Sequence, residues 1–149
     1  MNTTYSQCDV DTLNQLLRGE ISAVETYDQA VQRYQNMPAG SVLRRIRDEH
    51  LVAVATLRNR VTQFGGEPST TSGAWGAFAS AVTGTAKVIG SDLVFSALKK
   101  GEDHGVSQYE AAIADEQINA ECKEIFRTSL LPQCLRHIAE LGDLEAGRE

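Results

Sequence analysis

Four ionisable side chains stand where helical spacing calls for apolar ones: Glu20, His50, Glu102 and His137. Glu102 falls in the run Phe95, Leu98, Glu102, Gly105, Tyr109, Ala112, whose steps of three and four residues trace one face of a helix. Glu20 interrupts Leu13, Leu17, Val24, Tyr27, Val31 and Tyr34 in the same way. His50 interrupts Leu43, Ile46, Ala53, Leu57, Val61 and Phe64, and His137 interrupts Leu130, Cys134, Leu141 and Leu144. A carboxylate taken out of water without a partner costs on the order of several kcal/mol, so these groups must neutralise, pair or bind something. Two chemistries satisfy the set. One is a metal ion held between facing helices, with Glu20, His50, Glu102 and His137 as ligands and Tyr27 and Tyr109 supporting them. The other is a network of plain hydrogen bonds among the same side chains.

The elements that position these residues follow from the punctuation between the stripes. Ser6 or Asp9 can cap the first helix after a flexible tail over 1–8. Pro38-Ala39-Gly40 ends that helix, and Ser41 can cap the second. Gly65-Gly66-Glu67-Pro68 stops the second helix, and Ser69 to Gly73 is a loop. Trp75, Phe78, Val82, Ala86 and Ile89 keep helical spacing through three glycines, which predicts a short crossover helix over 75–89. Ser91-Asp92 can cap the third long helix, which ends near Glu116 to Asn119. Asn119 can cap the fourth, which Pro132 should kink or divide. The expected architecture is all-α, an up-down four-helix bundle of two hairpins forming a single domain.

The sequence also repeats. LLRGEISAVETY and LKKGEDHGVSQY align Gly19-Glu20 with Gly101-Glu102 and Tyr27 with Tyr109, so the chain reads as two copies of one helix pair.

Composition excludes several functions. A net charge of −6 argues against nucleic acid and anionic membranes as partners, since these are bound through clustered Lys and Arg. Three cysteines without CxxC spacing fit a reducing compartment, and the absence of a signal-like start and of a membrane span points to the cytoplasm. No phosphate-binding glycine loop and no nucleophile–base set is present. The apolar residues of the crossover segment must pack on their own bundle or on a second chain, and a homodimer is the expectation.

The span from Gly65 to Ile113, and especially the Gly-Glu-Asp and Tyr-Glu-Ala pieces of the third helix, resembles a bacterial domain-of-unknown-function family of ferritin-like four-helix bundles. More remotely, Gly19-Glu20 with Ala23 and Tyr27 is similar to the first helix of rubrerythrins, and Glu102 is similar to a ligand there. That resemblance implies iron or another divalent metal, with a Glu matching Glu20 as ligand. The full two-iron pattern demands Glu-x-x-His on the second and fourth helices. Here Arg47 stands three residues before His50 and Cys134 three before His137, and the position of a further carboxylate falls near Gly105.

Hairpin arithmetic adds a further expectation. A turn centred near Ala39 puts Glu20 and His50 about 12 Å out of level and His50 level with Tyr27, which predicts a Tyr–His hydrogen bond. A turn near Ile118 brings Glu102 and His137 to within about 5 Å of one level. Glu25 and Asp48 read as solvated charges that flank the seams, His104 faces away from Glu102, and Cys134 reads as a buried thiol. Leucine at position 102 should then be tolerated. The leading functional reading is a bundle with a degenerate metal site that acts through protein association without catalysis. Its rival is a metal-dependent oxidoreductase or iron-handling protein.

Overall fold

The apolar stripes fold as they are spaced. The computed structural model describes residues 7–73 and 91–147. Helix α1 (Gln7–Arg33) and helix α2 (Pro38–Gln63) form the first hairpin. Helix α3 (Ser91–Ala114) pairs with a composite helix built from α4 (Ala120–Ile125), a π-helical stretch Phe126–Leu130, and α5 (Leu131–Glu145). No strand occurs among the described residues, so the protein is an all-α bundle. The predicted crossover helix over 75–89, its role in a homodimer and the cap at Ser6 lie outside the described residues.

Three boundaries differ from the expectation. Helix α1 starts at Gln7, inside the stretch expected to be tail. Asp9 is therefore not a cap: it lies in the first turn, where a negative charge suits the helix dipole, and its buried carboxylate accepts from the Asn119 amide at 2.7 Å. Pro38 does not end a helix; it opens α2, the position where its missing N–H costs nothing and its fixed φ is already helical. Met37 rather than Ser41 is the N-cap, and the Ser41 hydroxyl instead donates to the Pro38 carbonyl. The turn is tight enough that a Cβ on Gly40 would lie 2.3 Å from the Tyr34 carbonyl oxygen, which is why glycine stands there.

Other signals act as read. Gly65 adopts φ +81°, the amide of Gly65 donates to Thr62 and that of Gly66 to Val61, and this paired return closes α2. Asn119 caps α4 by accepting from the Glu121 amide at 2.8 Å. Ahead of Pro132 the Leu131 amide donates five residues back to Phe126. This single wide turn divides the last helix and keeps Phe126, Leu130, Cys134 and His137 all on the buried side.

The core is two apolar clusters. One gathers Leu13, Leu17, Leu57, Val61, Tyr109 and Phe126, the other Tyr27, Leu43, Ile46, Phe95, Leu98 and Leu141. On each long helix the chain passes from one cluster to the other at its ionisable residue. The polar side chains thus form a layer between two apolar blocks.

Candidate metal centre

The layer is deep. Glu20 is 6% exposed, His50 3%, Glu102 4% and His137 0%. His50 lies at its middle, with Nδ1 2.6 Å from Glu20 Oε1 and Nε2 2.8 Å from Glu102 Oε2. The Tyr27 hydroxyl donates to Glu102 Oε2 at 2.6 Å, and the Tyr109 hydroxyl donates to Glu20 Oε2 at 2.5 Å. The Tyr27 ring stacks on the His50 imidazole with centroids 5.3 Å apart.

The internal repeat explains this exchange. Each tyrosine follows its own glutamate by two helical turns, and each bonds the glutamate of the other copy, so α1 and α3 run antiparallel. Since α1 is also antiparallel to α2 across a short turn, α2 and α3 run in the same direction.

All four predicted residues come together, but not by the predicted route. Glu20 and His50 are level and hydrogen-bonded, and Tyr27 bonds Glu102 rather than His50. The cause is Pro38. With the turn before it rather than on it, Glu20 stands thirteen residues from the end of α1 and His50 twelve from the start of α2, and the mismatch disappears. Glu102 and His137 do meet, with Glu102 Oε2 3.2 Å from His137 Nδ1.

Glu49 escaped the sequence reading. Its Oε1 lies 2.7 Å from His137 Nε2, and the same carboxylate pairs with Arg45 and Arg136 toward solvent. Ligand pairs on one helix place a carboxylate three residues before a histidine. Glu49 instead precedes His50 directly and supports the histidine of another helix. Its half-buried place beside the inward stripe is the one signal that marks it. Arg47 turns away from the layer onto Asp28 and Asp48. Glu25, Asp48 and His104 are exposed.

Electrostatics follow from this crowding. Burial alone would lower the basicity of His50, but the carboxylates of Glu102 and Glu20 outweigh it and push the imidazole up to about 10. Burial alone would raise the Glu102 carboxyl, but the His50 charge, the close contact with His137 and the bond from His50 bring it down to about 2. Both tyrosines are raised well above their ordinary value, by burial first and then by the glutamate each one faces. The Cys134 thiol is likewise pushed up, by burial and then by Glu20 and Glu102.

The set has the makings of a metal site. His50, Glu102 and His137 each offer a donor atom, and these atoms lie within 4.8 Å of one another. Glu102 Oε1 is buried with no hydrogen-bond partner, and His137 Nδ1 meets Glu102 Oε2 at 3.2 Å without the geometry of a hydrogen bond. Each imidazole is held at its far nitrogen by a carboxylate, His50 by Glu20 and His137 by Glu49, which leaves the near nitrogen directed at Glu102. A cavity of about 50 Å³ adjoins the layer, lined by Glu20, Glu102, Tyr109 and Cys134 and by Gly101 and Gly105. Among the described residues, no helix is long and apolar enough to cross a membrane.

Residues 9–115 match the sequence profile of a family described as a domain of unknown function, DUF2383. The matched stretch contains Glu20, Tyr27, Glu49, His50, Glu102 and Tyr109, whereas Cys134 and His137 lie beyond it. No curated protein and no solved structure matches the chain.

Proposed function

The chain belongs to the DUF2383 family, which assigns no activity, and from that footing we propose that the polar layer is a binding centre for one divalent first-row metal ion. His50, Glu102 and His137 would hold the ion, while Glu20 and Glu49 orient the two imidazoles from behind. The observation that carries the reading is the convergence of two imidazole nitrogens on a buried carboxylate whose Oε1 has no hydrogen-bond partner. A bundle core that needed only hydrogen bonds would not leave a buried carboxylate oxygen unmatched beside two imidazole nitrogens.

Charge supports the same reading. With Glu20 and Glu102 counted as carboxylates, a protonated His50 leaves one negative charge over. A divalent ion in place of that proton brings the layer to balance. The ion would also supply Lewis acidity at any coordination position the chain leaves open. A second ion is not part of the proposal, because Glu20 and Glu49 are already engaged in orienting histidines. Carboxylates and imidazoles on the inner faces of two packed hairpins are also what supports the ferritin-like reading of the fold.

Equilibrium dialysis against zinc tests the proposal. We expect one equivalent per chain, with binding lost in His137→Ala and weakened by at least about tenfold in Glu49→Gln, the cost typical of removing a carboxylate that orients a ligand. Substoichiometric zinc, equal in the native chain and in both variants, would overturn it. That outcome would favour the rival, a bundle acting through protein association in which the layer is hydrogen-bonded structure alone.

A further inference from the structure

We propose that the cavity beside the layer binds a short primary alkylammonium ion, its N–H groups on the Glu102 carboxylate and its chain along the apolar walls. The inference goes beyond the metal reading, because it concerns the metal-free chain and a different occupant.

The cavity lies between α1 and α3, with Leu16, Glu20 and Ala23 lining it from one helix and Leu98, Glu102 and Gly105 from the other. Its volume of about 50 Å³ decides the size of the ligand. A water molecule needs about 10–15 Å³, so the space holds roughly three or four non-hydrogen atoms.

The chemistry of the walls decides the class. Two carboxylates, Glu20 and Glu102, line the space, and among the described residues no Lys or Arg does. The hydroxyls of Tyr27, Tyr109 and Thr26, which also line it, have already spent their protons. Tyr27 donates to Glu102 Oε2, Tyr109 to Glu20 Oε2 and Thr26 to the Ser22 carbonyl. Glu102 Oε1 is the acceptor left over: it belongs to a residue 4% exposed and has no hydrogen-bond partner. Walls rich in acceptors and negative charge call for a ligand that brings donors and a positive charge. An ammonium head supplies three N–H groups and one charge. Leu16, Ala23 and Leu98 offer no polar side-chain partner, so the rest of the ligand is hydrocarbon. Size and chemistry together describe ethylammonium or propylammonium, since ammonium alone would leave the apolar walls uncovered.

Saturation-transfer NMR with propylammonium chloride tests this on the full chain, freed of metal by a chelator. We expect transfer from the protein to the propyl protons, with a dissociation constant on the order of 1 mM, as so small a ligand allows. Glu102→Gln keeps an oxygen but removes the charge, and Ala23→Leu fills the cavity while leaving every acceptor in place. Each should weaken binding by at least about tenfold. Tetramethylammonium, which has the charge but no N–H, should give no transfer. Equal transfer in the native chain and both variants, equal transfer to tetramethylammonium, or none at all would overturn the inference. Should Glu102→Gln fail to fold, Ala23→Leu and tetramethylammonium still decide it. The two readings fail separately: a chain that binds propylammonium but no zinc loses the ion and keeps this ligand, and the converse keeps the ion alone.

Discussion

Replacing Glu102 by leucine is expected to destabilise the metal-free protein by about 3–5 kcal/mol, the range for removing one partner of a buried ion pair. From the sequence alone leucine looks harmless, since it fills an apolar stripe and removes a buried charge. The geometry reverses that expectation. Glu102 accepts from the Tyr27 hydroxyl and contacts both histidines, so its loss strands a phenol and leaves the imidazolium of His50 with Glu20 alone. Glu102→Gln, which keeps an oxygen for Tyr27 and His50, should lose less. Urea unfolding of the two variants and the native chain measures the difference. A leucine variant as stable as the native chain would show that the layer is not the cooperative unit described above.

The second large effect is on pH dependence without metal. The His50 imidazole is raised from 6.5 to about 10 in the folded chain, so folding favours its protonated form. The stability it contributes is fully present below pH 6.5 and is lost as pH rises through about 10. The Glu102 carboxyl is lowered from 4.5 to about 2, so its contribution is present above pH 4.5 and is lost as pH falls through about 2. The two together put the flat top of the stability curve between about pH 4.5 and 6.5, with losses on the order of a few kcal/mol on each side. His50→Gln should flatten the alkaline limb, because a neutral amide has no proton to lose, and should also shrink the acid loss, because the His50 charge is what most lowers the Glu102 carboxyl. Zinc should hold that limb up in the native chain, since the ion takes the proton's place. Alkaline limbs of equal slope in the native and glutamine chains, measured by urea unfolding between pH 6 and 11, would contradict this picture.

The four stripes and their four ionisable members were legible because a helix repeats its spacing over many turns, and one misread boundary cannot erase such a pattern. Leu43, Ile46, His50, Ala53, Leu57, Val61 and Phe64 are all buried, as their spacing required. The level of Glu20 against His50 was not legible, because it depends on where the first turn begins, and a proline marks either edge of a helix. Reading Pro38 as a stop instead of a start displaced His50 along the bundle axis and replaced its bond to Glu20 with one to Tyr27. The repeat revealed that Glu20 and Glu102 are equivalent, but the bonding of each to the other copy's tyrosine needed the helix directions. Glu49 stayed hidden for a different reason. A carboxylate that serves a histidine on another helix obeys no spacing along its own.

Anomalous diffraction from crystals of the full chain grown with zinc tests the central claim most directly. The account predicts one zinc peak per chain, within coordinating distance of His50, Glu102 and His137, with Glu20 and Glu49 on the far nitrogens of the two imidazoles. A fully formed bundle with no peak in the layer, and with ordered water bridging Glu102 Oε1 and His137 Nδ1 instead, would contradict it.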